Sequence, residues 1–368
     1  MHASFSMPTS ILAGEHVIQQ NAAYFAKLGS RALIVSTEAA RLSGALKDLD
    51  EAFASQGIEY KLYEDCIPNP TTASTLELGA IAREYAPDFI VAVGGGSAMD
   101  AGKAASVMVA NPTYGIPDLY SPPYANKPIP TITVPTTAGT GSEITFYSVL
   151  LLEDRNFKKS FGDIAMAPVM AMLDPLYTAS MPIKVTIDTA VDALCHCIEG
   201  YLSKANNYMC GLFTREGFRL FADCYEALRT GELTLEHREK LMMAALYGGF
   251  SINLSRTLAV HSMGYALTVD KNLPHGRANG LVLAEYVRFI HESLPEKVDE
   301  IIGLCGCPNI DDFKDYIAAL LQDKTTFTPE DIDRYVAASA KESIGRKNPV
   351  DMTEDDVRKI LERSLLNN

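Results

Sequence analysis

Phe89-Ile-Val-Ala-Val-Gly-Gly-Gly-Ser-Ala-Met-Asp100 is the stretch whose reading decides the fold. Its first five residues form a continuous apolar run, the pattern of a parallel strand buried on both faces. Three glycines end the run, and a helix over about 98–110 is predicted after them. The glycines let a ligand approach the backbone and turn N–H groups inward, while the helix N-terminus adds partial positive charge. Gly94, Gly95, Gly96 and Ser97 therefore form a candidate pyrophosphate cradle. Ser97 and Asp100 also have the spacing of a capping box with Asp in the last place, and a plain capped turn would use the same residues. The loop departs from G-x-G-x-x-G, because Met99 stands where the third glycine would be.

Working outward, Arg31–Ser36, Tyr60–Asp65 and Pro130–Pro135 read as further strands. An amphipathic stretch over 38–56 follows the first of these. Thr71 or Thr72 is placed to cap a helix running to about Tyr85. Strands alternating with helices predict a parallel sheet with right-handed crossovers. A second polar turn, Pro135-Thr-Thr-Ala-Gly-Thr-Gly-Ser-Glu143, also follows a strand, where a parallel sheet binds ligands. From about Pro175 the strand signals stop. Segments 186–204, 208–230, 237–254 and 279–293 have helical spacing. The fold class is α/β plus all-α, with an α/β domain over 1–177 and a helical domain over 178–368. A cleft between the two is the expected place for a small-molecule site.

The chain has 368 residues, of which 47% are hydrophobic and 21% charged. Lys and Arg number 32 against 46 Asp and Glu, a formal net charge of −14. That balance argues against a nucleic-acid partner, whose affinity comes from cation–phosphate contacts. No apolar run reaches the roughly 18–20 residues of a membrane span, and Met1–Gly14 lacks the pattern of a secretory signal. Seven scattered cysteines fit reduced, packed thiols in a cytoplasmic protein better than a disulfide framework.

Asp192-Ala-Leu-Cys-His196 lies in a helical segment, and the spacing of four puts Asp192 and His196 on one face. His261 and His275 follow. Three imidazoles and a carboxylate suit Zn²⁺ or Fe²⁺, although a lone histidine is more often structural than ligating.

Taken together, Gly94–Asp100, Pro135–Glu143, Asp192–Gly200, His261 and Pro274-His-Gly276 resemble, in order and spacing, the iron-containing (group III) alcohol dehydrogenase family. The resemblance spans nearly the whole chain. It implies a Rossmann-like dinucleotide-binding domain followed by a helical metal-binding domain. The implied cofactors are NAD and a divalent metal held by Asp192, His196, His261 and His275, commonly Fe²⁺ and in some members Zn²⁺. It further implies cofactor contacts at Thr37, Asp100, Thr136, Thr137, Thr140 and Lys158. Lys158 could equally be a solvated member of the Lys158-Lys159 pair. A homodimer or larger homo-oligomer is expected.

Three positions depart from the family pattern. Thr37, with Glu38 beside it, stands where many members carry the Asp that excludes a 2′-phosphate, so NADP is not excluded. Tyr265 replaces a histidine four residues after the third ligand, and a phenol is a poor base at neutral pH. Arg256, beside Thr257, stands where relatives mostly place small or apolar residues. With Arg277 it could receive an anionic substrate head, or each could sit in an internal salt bridge. Tyr147 completes the substrate-lining candidates. The implied reaction interconverts a small aldehyde and its primary alcohol, with an anionic aldehyde of the sulfoacetaldehyde, phosphonoacetaldehyde or succinic semialdehyde type in view. A glycerol-type polyol dehydrogenase is the redox alternative, and a dehydroquinate-synthase-like lyase the alternative from another class.

Overall fold

The computed structural model describes residues 5–340 and 347–366. The chain divides into two compact units, Ser6–Met181 and Pro182–Asn368. The second also takes up Phe5, whose ring lies 5.3 Å from Phe213 and 5.8 Å from Phe250.

The first unit is built on eight strands: β1 (Ser10–Ala13), β2 (Arg31–Ser36), β3 (Glu59–Tyr63), β4 (Phe89–Gly94), β5 (Thr131–Pro135), β6 (Tyr147–Leu152), β7 (Phe157–Gly162) and β8 (Met170–Leu173). Six of them form a parallel sheet in the order β1-β8-β5-β4-β2-β3. Alternate residues feed two cores, as the pleat requires. Ile34, Val91 and Val134 pack with Leu49 and Phe53 of helix α1 (Ala45–Gln56). Leu33, Val35 and Ile90 pack on the other face, with Leu78 of α2 (Thr72–Tyr85) and Ala101 and Ala105 of α3 (Gly96–Ala110). A sheet covered on both faces explains why β4 reads as an unbroken apolar run. Ser36 is in register with Val93, and Gly94 with Pro135. The loops after β2, β4 and β5 therefore leave the sheet at one edge.

Several local expectations are corrected. The stretch 38–56 is two elements: a 3₁₀ turn over Glu38–Ser43, then α1 after Gly44 at φ 89°. Helix α3 starts at Gly96, within the glycines, and Gly95 caps it without a side-chain bond. The Ser97–Asp100 capping box does not form, because Ser97 already lies inside the helix. The short β1 and β8 and the antiparallel pair β6–β7 were not predicted. Thr71, rather than Thr72, caps α2 in a reciprocal box with Ser74.

The second unit is helical: α4 (Ile183–Leu202), α5 (Tyr208–Thr230), α6 (Leu235–Ser255), α7 (Ala259–Lys271), α8 (His275–His291), α9 (Pro295–Leu304), α10 (Ile310–Leu321), α11 (Pro329–Ala340) and α12 (Glu354–Leu365). Helix α4 is buried along almost its whole length from Ala190 to Leu202. Among the described residues, no helix is long and apolar enough to cross a membrane. All seven cysteines are buried free thiols, so they act as small apolar side chains.

Candidate active site

In the first unit, the loop after β4 carries Gly94 at φ 145°, a backbone conformation reserved for glycine. Two threonines close on the next two residues. A Cβ on Gly96 would lie 2.8 Å from Thr140 Cγ2, and one on Gly95 would lie 3.2 Å from Thr137 Oγ1. Thr37 flanks Gly94 from the end of β2, and the Thr136 N–H donates to the Gly94 carbonyl at 3.0 Å. Thr37, Gly94–Gly96, Thr136, Thr137 and Thr140 thus come together. The cradle is small because it lacks side chains, which fits a diphosphate received by backbone N–H groups.

Ser97 Oγ accepts from the Asn69 N–H at 3.1 Å, and Asn69 Oδ1 accepts from Lys158 Nζ at 3.1 Å. Asn69, at φ 55°, therefore ties Lys158 to the cradle. Lys158 is 6% exposed and Lys159 is exposed, so the solvated-pair reading fails for Lys158. Asp100, expected at the cofactor, has both oxygens occupied within the protein. Oδ1 accepts from Ser142 Oγ at 2.6 Å and pairs with Lys103 Nζ at 3.1 Å; Oδ2 accepts from the Val149 N–H at 2.9 Å. Its carboxylate fastens β6 and the polar turn to α3. Tyr147 opens β6 and is half-buried, its ring centroid 4.2 Å from that of Phe146.

In the second unit, α4, α7 and α8 supply the polar cluster. Asp192 and His196 sit one turn apart on α4, His261 on α7, and His275 is the first residue of α8. Asp192, His196 and His261 are at most 4% exposed, and His275 is half-buried. His261 Nε2 lies 2.9 Å from His196 Nε2 and 3.7 Å from Asp192 Oδ1. His275 Nε2 lies 3.9 Å from the same oxygen. Donor atoms of Asp192, His261 and His275 all fall within 4.8 Å of one another.

Two facing imidazole nitrogens at 2.9 Å share either a proton or a cation. Tetrahedral donors around Zn²⁺ stand about 3.4 Å apart, and the measured separations bracket that value. Burial raises the Asp192 pKa, but the His196, His275 and His261 imidazoles and an Asn279 hydrogen bond outweigh it, leaving the carboxyl at about 2. The donor set, one ionised carboxylate and three imidazoles, fits a divalent ion.

Two residues that sequence reasoning passed over hold this cluster. Glu199, fully buried on α4, accepts from His261 Nδ1 at 2.5 Å and from the His261 backbone N–H at 3.2 Å. Its carboxylate fixes the ring and leaves Nε2 as the donor to an ion. Asn279 Nδ2 donates to Asp192 Oδ1 at 2.9 Å. Tyr265 stacks its ring on His275, centroids 5.1 Å apart and planes 20° apart, which brings it to the cluster.

The two arginines part ways. Arg277 is not a substrate cation. It is 4% exposed, with Nη2 2.9 Å from Asp188 Oδ1 and Nη1 2.9 Å from Asp323 Oδ2. Arg256 is exposed and ends α6 at φ 63°, ψ 173°, a conformation otherwise nearly confined to glycine. Thr257, partly exposed, follows it.

The family model for iron-containing alcohol dehydrogenases matches residues 8–175, and the model for the C-terminal region of Fe-containing alcohol dehydrogenases matches residues 186–365. The chain belongs to the iron-containing alcohol dehydrogenase family and is an oxidoreductase of alcohols and aldehydes. It is 32% identical over 272 residues to the sulfoacetaldehyde reductase of Bilophila wadsworthia, covering 73% of this chain and 70% of that protein. It is also 32% identical over 247 residues to an aldehyde-alcohol dehydrogenase 2 of Entamoeba histolytica, a match that covers 64% of this chain but only 28% of that protein. An iron-containing alcohol dehydrogenase from Thermotoga maritima superposes with a TM-score of 0.91 at 31% identity, covering 98% of this chain and 99% of that one. The sulfoacetaldehyde reductase of Bifidobacterium kashiwanohense in complex with NAD⁺ superposes with a TM-score of 0.88 at 28% identity, covering both chains fully.

Proposed function

We propose that this protein is a metal-dependent, NAD(P)-linked reductase that converts a small aldehyde to its primary alcohol, with an anionic aldehyde of the sulfoacetaldehyde type as the substrate to test first. The observation that carries the reading is the convergence of the buried Asp192, His196 and His261 with the half-buried His275. When bound, a divalent ion polarises the carbonyl oxygen and a nicotinamide supplies the hydride.

The chain's own groups do the rest. Gly94–Ser97 receive the dinucleotide's phosphates on backbone N–H groups, with Thr136, Thr137 and Thr140 around them. Thr37 lies where the ribose would be met, and an uncharged hydroxyl there accepts NAD and does not repel NADP. Asp192, His196, His261 and His275 hold the ion, and Glu199 orients His261. Tyr265 holds the His275 ring and offers a hydroxyl to the product alkoxide. Arg256 receives the anionic head, with Thr257 and Tyr147 lining the substrate. The sulfoacetaldehyde reductases among the relatives support the anionic class, and Arg256, exposed at the end of α6, is the guanidinium proposed for it.

The test is NADH and NADPH oxidation with sulfoacetaldehyde, succinic semialdehyde and propanal, before and after chelation and after return of Fe²⁺ or Zn²⁺. Turnover is expected to vanish on chelation and to return with the ion. Arg256→Ala should slow the anionic aldehydes roughly 10- to 150-fold, the worth of one charge-assisted contact, and leave propanal nearly unchanged. A wild type that prefers propanal, or equal losses on both substrates, removes the anionic class. Full activity in metal-free protein removes the mechanism.

A further inference from the structure

We infer that Arg277 is a positioning residue for the metal cluster: by clamping Asp188 of α4 and Asp323 beyond α10, it fixes the depth at which His275 meets Asp192. The inference rests on the metal reading above. It starts from three consecutive residues at the head of α8, each of which touches α4. His275 Nε2 lies 3.9 Å from Asp192 Oδ1. At Gly276 the two backbones are in contact, since a Cβ there would lie 1.8 Å from the Asp188 carbonyl oxygen and 2.8 Å from Asp192 Cβ. Arg277 then pairs with Asp188, which sits one helical turn before Asp192.

No side-chain cap fixes the head of α8, since Pro274, at the cap position, offers no side-chain bond. Arg277 supplies an anchor on two sides. Toward α4 its Nη2 meets Asp188; toward α10 its Nη1 donates to Asp323 Oδ2 at 2.9 Å and to the Leu321 carbonyl at 2.6 Å. The Arg277, Asp188 and Asp323 side chains are 5%, 6% and 11% exposed. A planar guanidinium with a fixed fork can span two carboxylates at set distances, which an ammonium on a flexible stem cannot do. The clamp thus sets where α8 begins relative to α4, and His275, two residues away, inherits that position.

The experiment measures Zn²⁺ affinity of the chelator-stripped full chain by competition with a chromophoric chelator. Far-UV circular dichroism, the metal-free Tm and NADH affinity are measured alongside. Arg277→Met is expected to weaken Zn²⁺ binding roughly 10- to 100-fold, the usual effect of removing a group that orients a ligand, with NADH affinity unchanged. Arg277→Lys should recover only part of the loss. If Arg277→Met fails to fold because Asp188 and Asp323 are left buried without their cation, the Asp188→Asn/Arg277→Met/Asp323→Asn triple variant removes all three charges and should show the same weakening. Unchanged Zn²⁺ affinity in either folded variant, with or without a lower metal-free Tm, makes Arg277 a structural residue only and overturns the proposal. If wild type binds Zn²⁺ no better than His261→Ala, the metal reading itself falls. That outcome is recognised in the wild type, before the clamp variants are compared.

Discussion

The glycine cradle of the first unit and the imidazole cluster of the second are built on opposite principles. The cradle is made by subtraction: Gly94, Gly95 and Gly96 keep side chains out so that the backbone can act, and Thr137 and Thr140 close on the space that remains. The cluster is made by convergence: α4, α7 and α8 bring Asp192, His196, His261 and His275 to one point. Each then breaks in its own way. The cradle fails when atoms are added, and the cluster fails when they are removed.

The largest expected effect lies in the cluster. His261→Ala deletes a donor that is 2.9 Å from His196 Nε2 and 3.7 Å from Asp192, and should abolish measurable turnover and bound metal together. Glu199→Gln keeps the shape but replaces the carboxylate that orients His261. A loss of roughly 10- to 100-fold in metal affinity is expected, read by chelator competition. If Glu199→Gln binds metal as wild type does, the hydrogen bond at 2.5 Å is not what orients the ring.

A smaller effect is expected in the cradle, and it can be reversed. Gly96→Ala places a methyl 2.8 Å from Thr140 Cγ2 and 3.0 Å from Thr140 Oγ1. Overpacking of that kind costs about 1–3 kcal/mol, and roughly tenfold weaker NADH binding is expected by fluorescence titration. Gly95→Ala, with 3.2 Å to its nearest atom, should cost less. Adding Thr140→Ser to Gly96→Ala removes the crowding methyl and keeps the hydroxyl, so affinity should recover. No recovery would mean that the added methyl meets the dinucleotide itself rather than Thr140.

The same contrast explains what could be read from the sequence. The cradle is contiguous: an apolar run, three glycines and a helix follow one another, so β4 and the loop were legible from residues 89–100. The long helices of the second unit were legible from their 3.6-residue spacing, and Asp192 with His196 from a single turn. What holds these groups was not legible, because the partners lie far apart in the chain. Asn69 reaches Ser97 across 28 residues, Glu199 reaches His261 across 62, and Asn279 reaches Asp192 across 87. Glu199 lay inside the quoted segment Asp192–Gly200, yet nothing in its spacing singles out the helix it serves. Arg277 shows the converse. Its charge beside a presumed ligand suited either an anionic substrate head or an internal salt bridge, and Asp188 and Asp323, which decide for the salt bridge, lie 89 and 46 residues away.

The smallest effect on turnover, and the last contrast, concerns how each unit keeps a buried carboxylate. Asp192 faces three imidazoles and an amide and is held ionised, at about 2. Glu143, at the end of the polar turn after β5, is 3% exposed. Burial pushes its pKa up from 4.5 to about 7, only partly opposed by its own backbone N–H and by Lys103. The sign follows from proton linkage. Below 4.5 both folded and unfolded chains hold the proton, and Glu143 costs the fold nothing. As the pH rises from 4.5 to 7 the unfolded chain releases its proton first, so stability falls. Above 7 the slope ends and the full cost is present. The slope cannot exceed about 1.4 kcal/mol per pH unit, which bounds the whole loss at roughly 3 kcal/mol. Glu143→Gln removes the titration and should be more stable than wild type at pH 8, with the difference shrinking toward pH 4.5. Urea midpoints of the two proteins across that range measure it. A constant difference would mean that Lys103, 0% exposed and hydrogen-bonded to Ser142 and Thr145, keeps Glu143 ionised throughout, and that the first unit, like the second, stabilises its buried carboxylate by a neighbouring charge.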